Sequence, residues 1–149
     1  MQFSSRFTVA VHIMLCIVQY EKRVKTTSTF LAGSVNVNPV VIRNTLGQLK
    51  SAGLVNVEAG VGGSSIARDP KDITLLDIFK AVENADEDLF HFHENPNPDC
   101  EVGQTVHIIM DDKLDAIKRA MENSMKSVTL QSLIDEMKIQ IDRQKKTAT

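Results

Sequence analysis

The residues of this chain whose types and spacing could do chemistry lie in Asn38-Pro39-Val40-Val41-Ile42-Arg43-Asn44-Thr45-Leu46-Gly47-Gln48-Leu49-Lys50-Ser51-Ala52-Gly53-Leu54, and the chemistry is hydrogen bonding rather than catalysis. Wound into a helix, Val40, Arg43, Asn44, Gly47, Gln48 and Ser51 share one face. That face is nearly free of acid and has a glycine where a backbone could approach something closely. Ile42, Leu46 and Leu49 form the opposite, apolar stripe. A short helix with one buried face and one hydrogen-bonding face is what the major groove of duplex DNA accepts.

A second set of reactive types lies further on. Cys100 is a candidate redox sensor, with His93 nearby to help form its thiolate and Asp99 and Glu101 beside it to raise its pKa. The alternative is a cysteine packed under a long helix. His91, His93, Glu94, Asp99, Cys100 and His107 include metal-ligand types. Their spacing matches no closed zinc site, and Phe-His-Phe-His suits a loop half-packed on its neighbour, so no metal is expected. His12 and Cys16, one turn apart on the first helix, read as core. No nucleophile–base pair, metal motif or cofactor loop marks an enzyme.

The elements that must position these groups are legible. Asn38 is an N-cap, Pro39 takes the first helical position, and Gly53 ends the helix where positive φ is needed. Leu54-Val55-Asn56-Val57-Glu58 predicts a strand and Ser64-Ser65-Ile66-Ala67-Arg68 its return. Between them, Ala59-Gly60-Val61-Gly62-Gly63 supplies hairpin glycines. No Gly-Lys-Ser/Thr follows, and the loop opens a strand, so it is a wing rather than a phosphate cradle. Thr27-Ser28-Thr29 can cap a short helix from Thr29 to Ser34, with Val35-Asn36-Val37 as the turn. Helix, turn, helix and hairpin in that order make a winged helix-turn-helix.

Around this unit, Phe7 to Val18 predicts a helix apolar on nearly all sides, hence buried on nearly all sides. It superficially resembles a signal-peptide core, but it holds Thr8 and His12, lacks a small-x-small site and is too short to span a membrane. Thr74-Leu75-Leu76-Asp77 starts a further helix with a capping box. A loop from Asn84 to Gly103 follows. Gln104 to about Lys126 reads as an amphipathic helix roughly 35 Å long, with Val106, Met110, Leu114, Ile117, Met121 and Met125 on one side. A leftover stripe of that length usually meets the same stripe of a second copy. Thr129 to Ile141 is a last helix, and Asp142 to Thr149 reads as frayed.

The 149 residues, 42% hydrophobic, suit one domain with a helical extension. Two cysteines without paired spacing fit a reducing cytoplasm, the expected location. The net charge of −2 is bipolar. Met1 to Lys71 holds eight basic and three acidic residues, net +5, and Asp72 to Thr149 holds nine and sixteen, net −7. Screening limits phosphate attraction to about 8 Å. One end can therefore bind DNA while the other stays off it.

Three stretches carry a family resemblance: Ser4 to Met14; Ser34 to Leu49 with Ala52-Gly53-Leu54-Val55; and Gly60 to Gly63 followed by Ile73 to Ile78. They resemble the Rrf-two family of bacterial winged-helix transcription regulators, relatives of IscR, NsrR and CymR, and His93 to Cys100 looks closest to its YwnA-like branch. The resemblance implies a mainly α fold with a small β-wing, in which a winged helix-turn-helix is followed by a long C-terminal dimerisation helix. Residues 1–83 would bind DNA, 84–103 would be a sensor-type loop and 104–149 a helical dimerisation region. It implies a homodimer on a palindromic operator, usually a repressor, answering a small-molecule or oxidant inducer. Carried over by position, the DNA-contacting set is Asn38, Val40, Arg43, Asn44 and Gln48 with wing residues Gly60, Gly62, Gly63 and Ser64. Glu58-Ala59 stands where members often place a wing arginine. Cluster-binding members hold three cysteines in the loop, and this one holds only Cys100, so no cofactor is expected. The alternative function is an effector-binding or protein-interaction dimer whose winged domain no longer binds DNA tightly.

Overall fold

The computed structural model describes residues 4–60, 62–83 and 89–148. Its elements are α1 (Arg6–Tyr20), α2 (Ser28–Val35), α3 (Pro39–Ser51), β1 (Val55–Glu58), β2 (Gly63–Ile66), one 3-10 turn at Pro70–Asp72, α4 (Leu75–Val82), α5 (Glu101–Lys126) and α6 (Leu130–Thr147). The strands pair antiparallel, from Val55 opposite Ile66 to Glu58 opposite Gly63. The fold is the expected mainly helical winged helix-turn-helix with a small sheet.

Local signals set most boundaries. Thr27 caps α2 by accepting from the Phe30 N–H at 3.2 Å, and Asn36 ends it in the left-handed region at φ 62°. Asn38 Oδ1 accepts from the Val40 N–H at 2.9 Å and Pro39 follows in the first turn. Ala52 is the C-cap of α3, so Gly53, at φ +74°, stands one residue beyond it. Its N–H donates to the Lys50 carbonyl at 2.9 Å, and the Leu54 N–H donates to the Leu49 carbonyl at 3.0 Å. This paired closure welds the end of α3 to the start of the wing. Thr74 and Asp77 close the predicted capping box of α4.

The core gathers Ala10, Ile13, Met14 and Ile17 of α1 with Leu31, Ile42, Leu46, Leu49, Leu54, Val55, Ile73, Ile78 and Val82. Leu130 and Ile134 of α6 join it. The return of the chain is hydrogen-bonded: the Leu75 N–H donates to the Val128 carbonyl at 2.9 Å and the Leu130 N–H to the Ile73 carbonyl at 2.7 Å. The first turns of α6 therefore pack as part of the winged unit.

Several expectations are corrected. α1 is buried along Ala10, Ile13, Met14, Cys16 and Ile17, but Thr8 and His12 are exposed, so His12 is not core. α5 begins at Glu101, three residues before the predicted start, which leaves Cys100 at its N-cap position. α6 continues to Thr147 instead of fraying after Ile141. The predicted stripe of α5 divides: Met121 and Met125 line a cavity with Phe7 and Phe79, while Met110 and Ile117 are exposed beside Val102 and Ile109. No residue of α5 is buried in the single chain. Asn84 to Asp88, the start of the predicted loop, and Val61 lie outside the described residues.

Because Leu130 is fully buried among residues of the winged unit, Leu130→Ala should lower the unfolding free energy by about 2–5 kcal/mol. Denaturant unfolding followed by circular dichroism should show one transition moved to lower denaturant. An unmoved midpoint would mean that α6 is not docked.

Candidate nucleic-acid interface

α3 turns Ile42, Thr45, Leu46 and Leu49 inward. Its other face presents Asn38, Val40, Arg43, Asn44, Gly47 and Gln48 to solvent, and Val40 is 52% exposed. Thr45 and Ser51 hydroxyls are spent on the Val41 and Gly47 carbonyls at 2.8 and 2.9 Å. The Asn38 carboxamide oxygen is occupied by the cap, which leaves its amide nitrogen to face outward chemistry. A side chain added at Gly47 would meet open space. The helix therefore tolerates close approach there without needing the glycine for its own packing.

Between α3 and the wing lies a cleft of about 390 Å³, entered by the first residues of α2. Arg43 and Lys50 line the α3 side, Glu58, Ala59 and Gly60 the wing side, and Thr27 and Ser28 the end. Arg43 thus stands on the flank of α3 that faces the wing, with a cation two turns further and an acid across the cleft. Lys50 was absent from the sequence-derived set. Its seven-residue spacing from Arg43 was the signal that could have found it, since two helical turns return a side chain to the same face.

The wing residues separate into two groups. Gly60, at φ +73°, is exposed at the tip, and Gly62 packs so closely on the Glu58 side chain that a Cβ would collide with it. Gly63 and Ser64 are buried at the base of the wing, at the floor of the same cleft. The Ser64 N–H donates to the Thr26 carbonyl at 3.1 Å, and the Thr26 hydroxyl donates to the Ser64 carbonyl at 2.5 Å. With both backbone groups taken, Ser64 anchors the base of the wing to the segment between α1 and α2. Gly63, at φ +81°, lies against the backbone of Lys25 and Thr26, where a side chain would crowd the Thr26 nitrogen.

The loop before α5 is laid on that helix by stacked rings. The Phe92 ring lies 3.7 Å from His107 and 5.1 Å from His93. The Cys100 N–H donates to the Asn97 carbonyl at 3.2 Å. The Cys100 sulfur is exposed at the start of α5 without closing a capping bond of its own. The N–H groups of Gly103 and Val102 nevertheless favour its thiolate and lower its pKa. The expected upward push from Asp99 and Glu101 is not among the causes of the shift; only a small burial effect opposes the amides. Burial pushes the Cys16 thiol the other way, opposed by a hydrogen bond with Ser34. His12 Nε2 lies 3.1 Å from the Ser34 hydroxyl.

Comparison with known proteins agrees with this geometry. Residues 3–136 match the profile of the Rrf2 family, described as an iron-dependent transcriptional regulator. YwnA of Bacillus subtilis strain 168, named as a candidate helix-turn-helix-type transcriptional regulator, is 42% identical over 134 residues, covering 90% of this chain and 98% of its own. The crystal structure of a candidate DNA-binding protein superposes with a TM-score of 0.69 at 37% identity, over 87% of this chain and 99% of that one. A candidate transcriptional regulator from Lactobacillus plantarum gives 0.76 at 20% identity, over 95% and 98%, a likeness of fold alone.

A cluster held by thiolates does not fit the donors present. The chain has two cysteines, Cys16 buried in α1 and Cys100 exposed before α5. Among the described residues no group of three or more His, Cys, Asp and Glu is gathered to hold a metal ion. Among them too, no helix is long and apolar enough to cross a membrane.

The opposite shifts of the two thiols predict their reactivity. Alkylation of the native protein by iodoacetamide should proceed at Cys100 with a pH midpoint below that of an unperturbed thiol, because only the thiolate attacks. Cys16 should react far more slowly, with its midpoint displaced upward. Mass spectrometry of the two peptides over a pH series reads both. Equal rates would contradict the assignment.

Proposed function

The chain belongs to the Rrf2 family of transcriptional regulators, and from that premise we propose that it is a cytoplasmic repressor that binds a palindromic operator as a homodimer. It is a DNA-binding regulator of a family that acts on transcription and not as an enzyme. The observation that carries the finer reading is α3 itself, with Ile42, Leu46 and Leu49 buried and Asn44, Gly47 and Gln48 outward beside the wing cleft. Asn and Gln side chains at such positions pair with adenine, and arginine with guanine or phosphate. Residues 1–83 would read DNA, residues 84–103 would sense, and residues 104–149 would dimerise. The unpartnered apolar side of α5 supports the last assignment.

Selection of bound duplexes from random DNA tests the proposal. An enriched palindrome with salt-dependent binding supports it. No enrichment would favour the alternative, an effector-binding or protein-interaction dimer, which the acid Glu58 inside the wing cleft keeps in view. On the selected operator, Arg43→Ala should weaken binding by about 1–3 kcal/mol at one base pair per half-site if Arg43 reads a base. If it clamps phosphate, the loss should be uniform across sequences and the salt slope should fall by about one. Unchanged affinity removes Arg43 from the interface.

Ile117 is 50% exposed in the single chain, on the side shared with Val102, Ile109 and Met110. Ile117→Asp should convert the dimer to monomers in sedimentation at micromolar concentration, because a facing copy would bury an unpaired charge. A wild-type monomer under those conditions would sink the dimer.

Cys100 supplies the oxidant input in this proposal. Its thiolate attacks an oxygen of hydrogen peroxide, the O–O bond breaks, hydroxide leaves and takes a proton from solvent to become water, and the sulfur becomes a sulfenic acid. Condensation with Cys100 of the second copy or a small thiol releases a second water and leaves a disulfide. Cys100→Ser should bind the operator normally and ignore hydrogen peroxide. Operator release by peroxide in that variant would exclude Cys100 as the input.

A further inference from the structure

We propose that Glu58 is a specificity-determining residue that reads the shape of DNA: it disfavours a narrow, A·T-rich minor groove under the wing. The inference rests on the operator-binding proposal above and deepens it, by naming a stretch of duplex that α3 does not touch. Between Lys50 and Arg68 the chain has one charged residue, Glu58. Arg68 is committed elsewhere, to the Asp72 carbonyl and Asp77. The charge that the wing itself displays is therefore negative.

The side chain is held where it can act. Glu58 ends β1 opposite Gly63, is exposed, and lines the wing side of the cleft beside α3. Gly62 leaves room for it, since a Cβ there would collide with the Glu58 side chain. Among the described residues no hydrogen bond or ion pair neutralises the carboxylate. Arg43 and Lys50 line the opposite wall, but neither forms an ion pair with it. Ala59 and Gly60, which follow it toward the tip, add no cation to offset it.

Groove geometry turns this charge into a sequence preference. With α3 in a major groove about 12 Å wide, the sugar-phosphate strand that borders the groove passes along the cleft, and the wing beyond the cleft lies over the adjacent minor groove. Arg43 and Lys50 then face the strand from the α3 side, and Glu58 faces it from the minor-groove side. An A-tract narrows the minor groove and strengthens its negative potential, which draws in cations. The same potential repels a carboxylate within a screening length of about 8 Å. A wider groove with G·C pairs carries less of that potential and presents the guanine amino group, a donor that a carboxylate accepts from. Asn44 and Gln48 do not line the cleft, so the base-reading face of α3 is independent of the acid.

Glu58→Gln keeps the shape of the side chain and removes its charge. Duplexes are selected from random DNA with the wild-type full chain and with the variant. The recovered motif is then placed between A-tracts and between G·C-rich steps at the positions bordering each half-site. The motif should be the same for both proteins. The preference for G·C-rich over A-tract borders should fall about two- to fivefold in the variant, the size of an exposed charge interaction. The difference between the proteins should shrink as salt is raised. An equal gain of affinity on both duplexes overturns the shape reading, because it makes Glu58 a general brake on phosphate attraction. Unchanged affinities on both overturn any role for Glu58 and leave the operator proposal standing. No motif enriched by either protein overturns both.

Discussion

The apolar stripe Ala10, Ile13, Met14 and Ile17 of α1 is the surface on which α2, α3, α4, β2 and α6 are laid. Each of its larger side chains is removed from water, a gain of roughly 1.5–3 kcal/mol apiece. The orientation of the outward face of α3 follows from that burial, because Ile42, Leu46 and Leu49 can reach the same core only with Val40, Asn44 and Gly47 turned out. The paired closure at Gly53 and Leu54 then transfers the orientation to β1. Thr26 and Glu21 fix β2 from the other side, the latter by accepting from the Ile66 N–H at 3.1 Å. Helix and wing are therefore held as one body by contacts that begin at α1.

What could be read beforehand was local. Asn38-Pro39, Gly53 and Thr74 with Asp77 act within a turn of themselves, and the structure uses them as their chemistry dictates. The inward turn of Gly63 and Ser64 was not legible, since its cause is Thr26, 38 residues away in sequence. The exposure of His12 was hidden in the same way, because a helix with apolar residues on several faces does not announce which face its neighbours leave open. The early start of α5 was masked by Gly103, normally a helix breaker. Here it lies under the Asn97 carbonyl, where a Cβ would collide. Contact with the preceding loop, not propensity, sets that boundary.

Two effects compete at the thiols and cleft groups, and proximity decides between them. Asp99 and Glu101 are neighbours of Cys100 in sequence, but the amides of Val102 and Gly103 point at its sulfur, and charge acts most strongly where it is aimed. The net charge of +5 before residue 72 likewise matters only where it is displayed. Part of it is already committed: Arg68 donates to the Asp72 carbonyl and lies 3.8 Å from Asp77. Arg43 and Lys50 remain beside the wing, facing Glu58. The acid offsets part of the positive charge displayed in that cleft.

The hydrogen bonds that join Leu75 to Val128 and Leu130 to Ile73 bring the chain back to the winged unit beside the start of α4. α4 itself packs in the core through Ile78 and Val82, and the segment from Phe92 through most of α5 is an excursion closed at that neck. The entropy of closing such a loop grows only slowly with its length. Residues can thus be inserted, deleted or exchanged near Phe92 to Cys100 while the neck and the winged unit stay as they are. A lineage carrying this arrangement can replace the chemistry at the far end without rebuilding the winged unit, by changes confined to a few residues of loop.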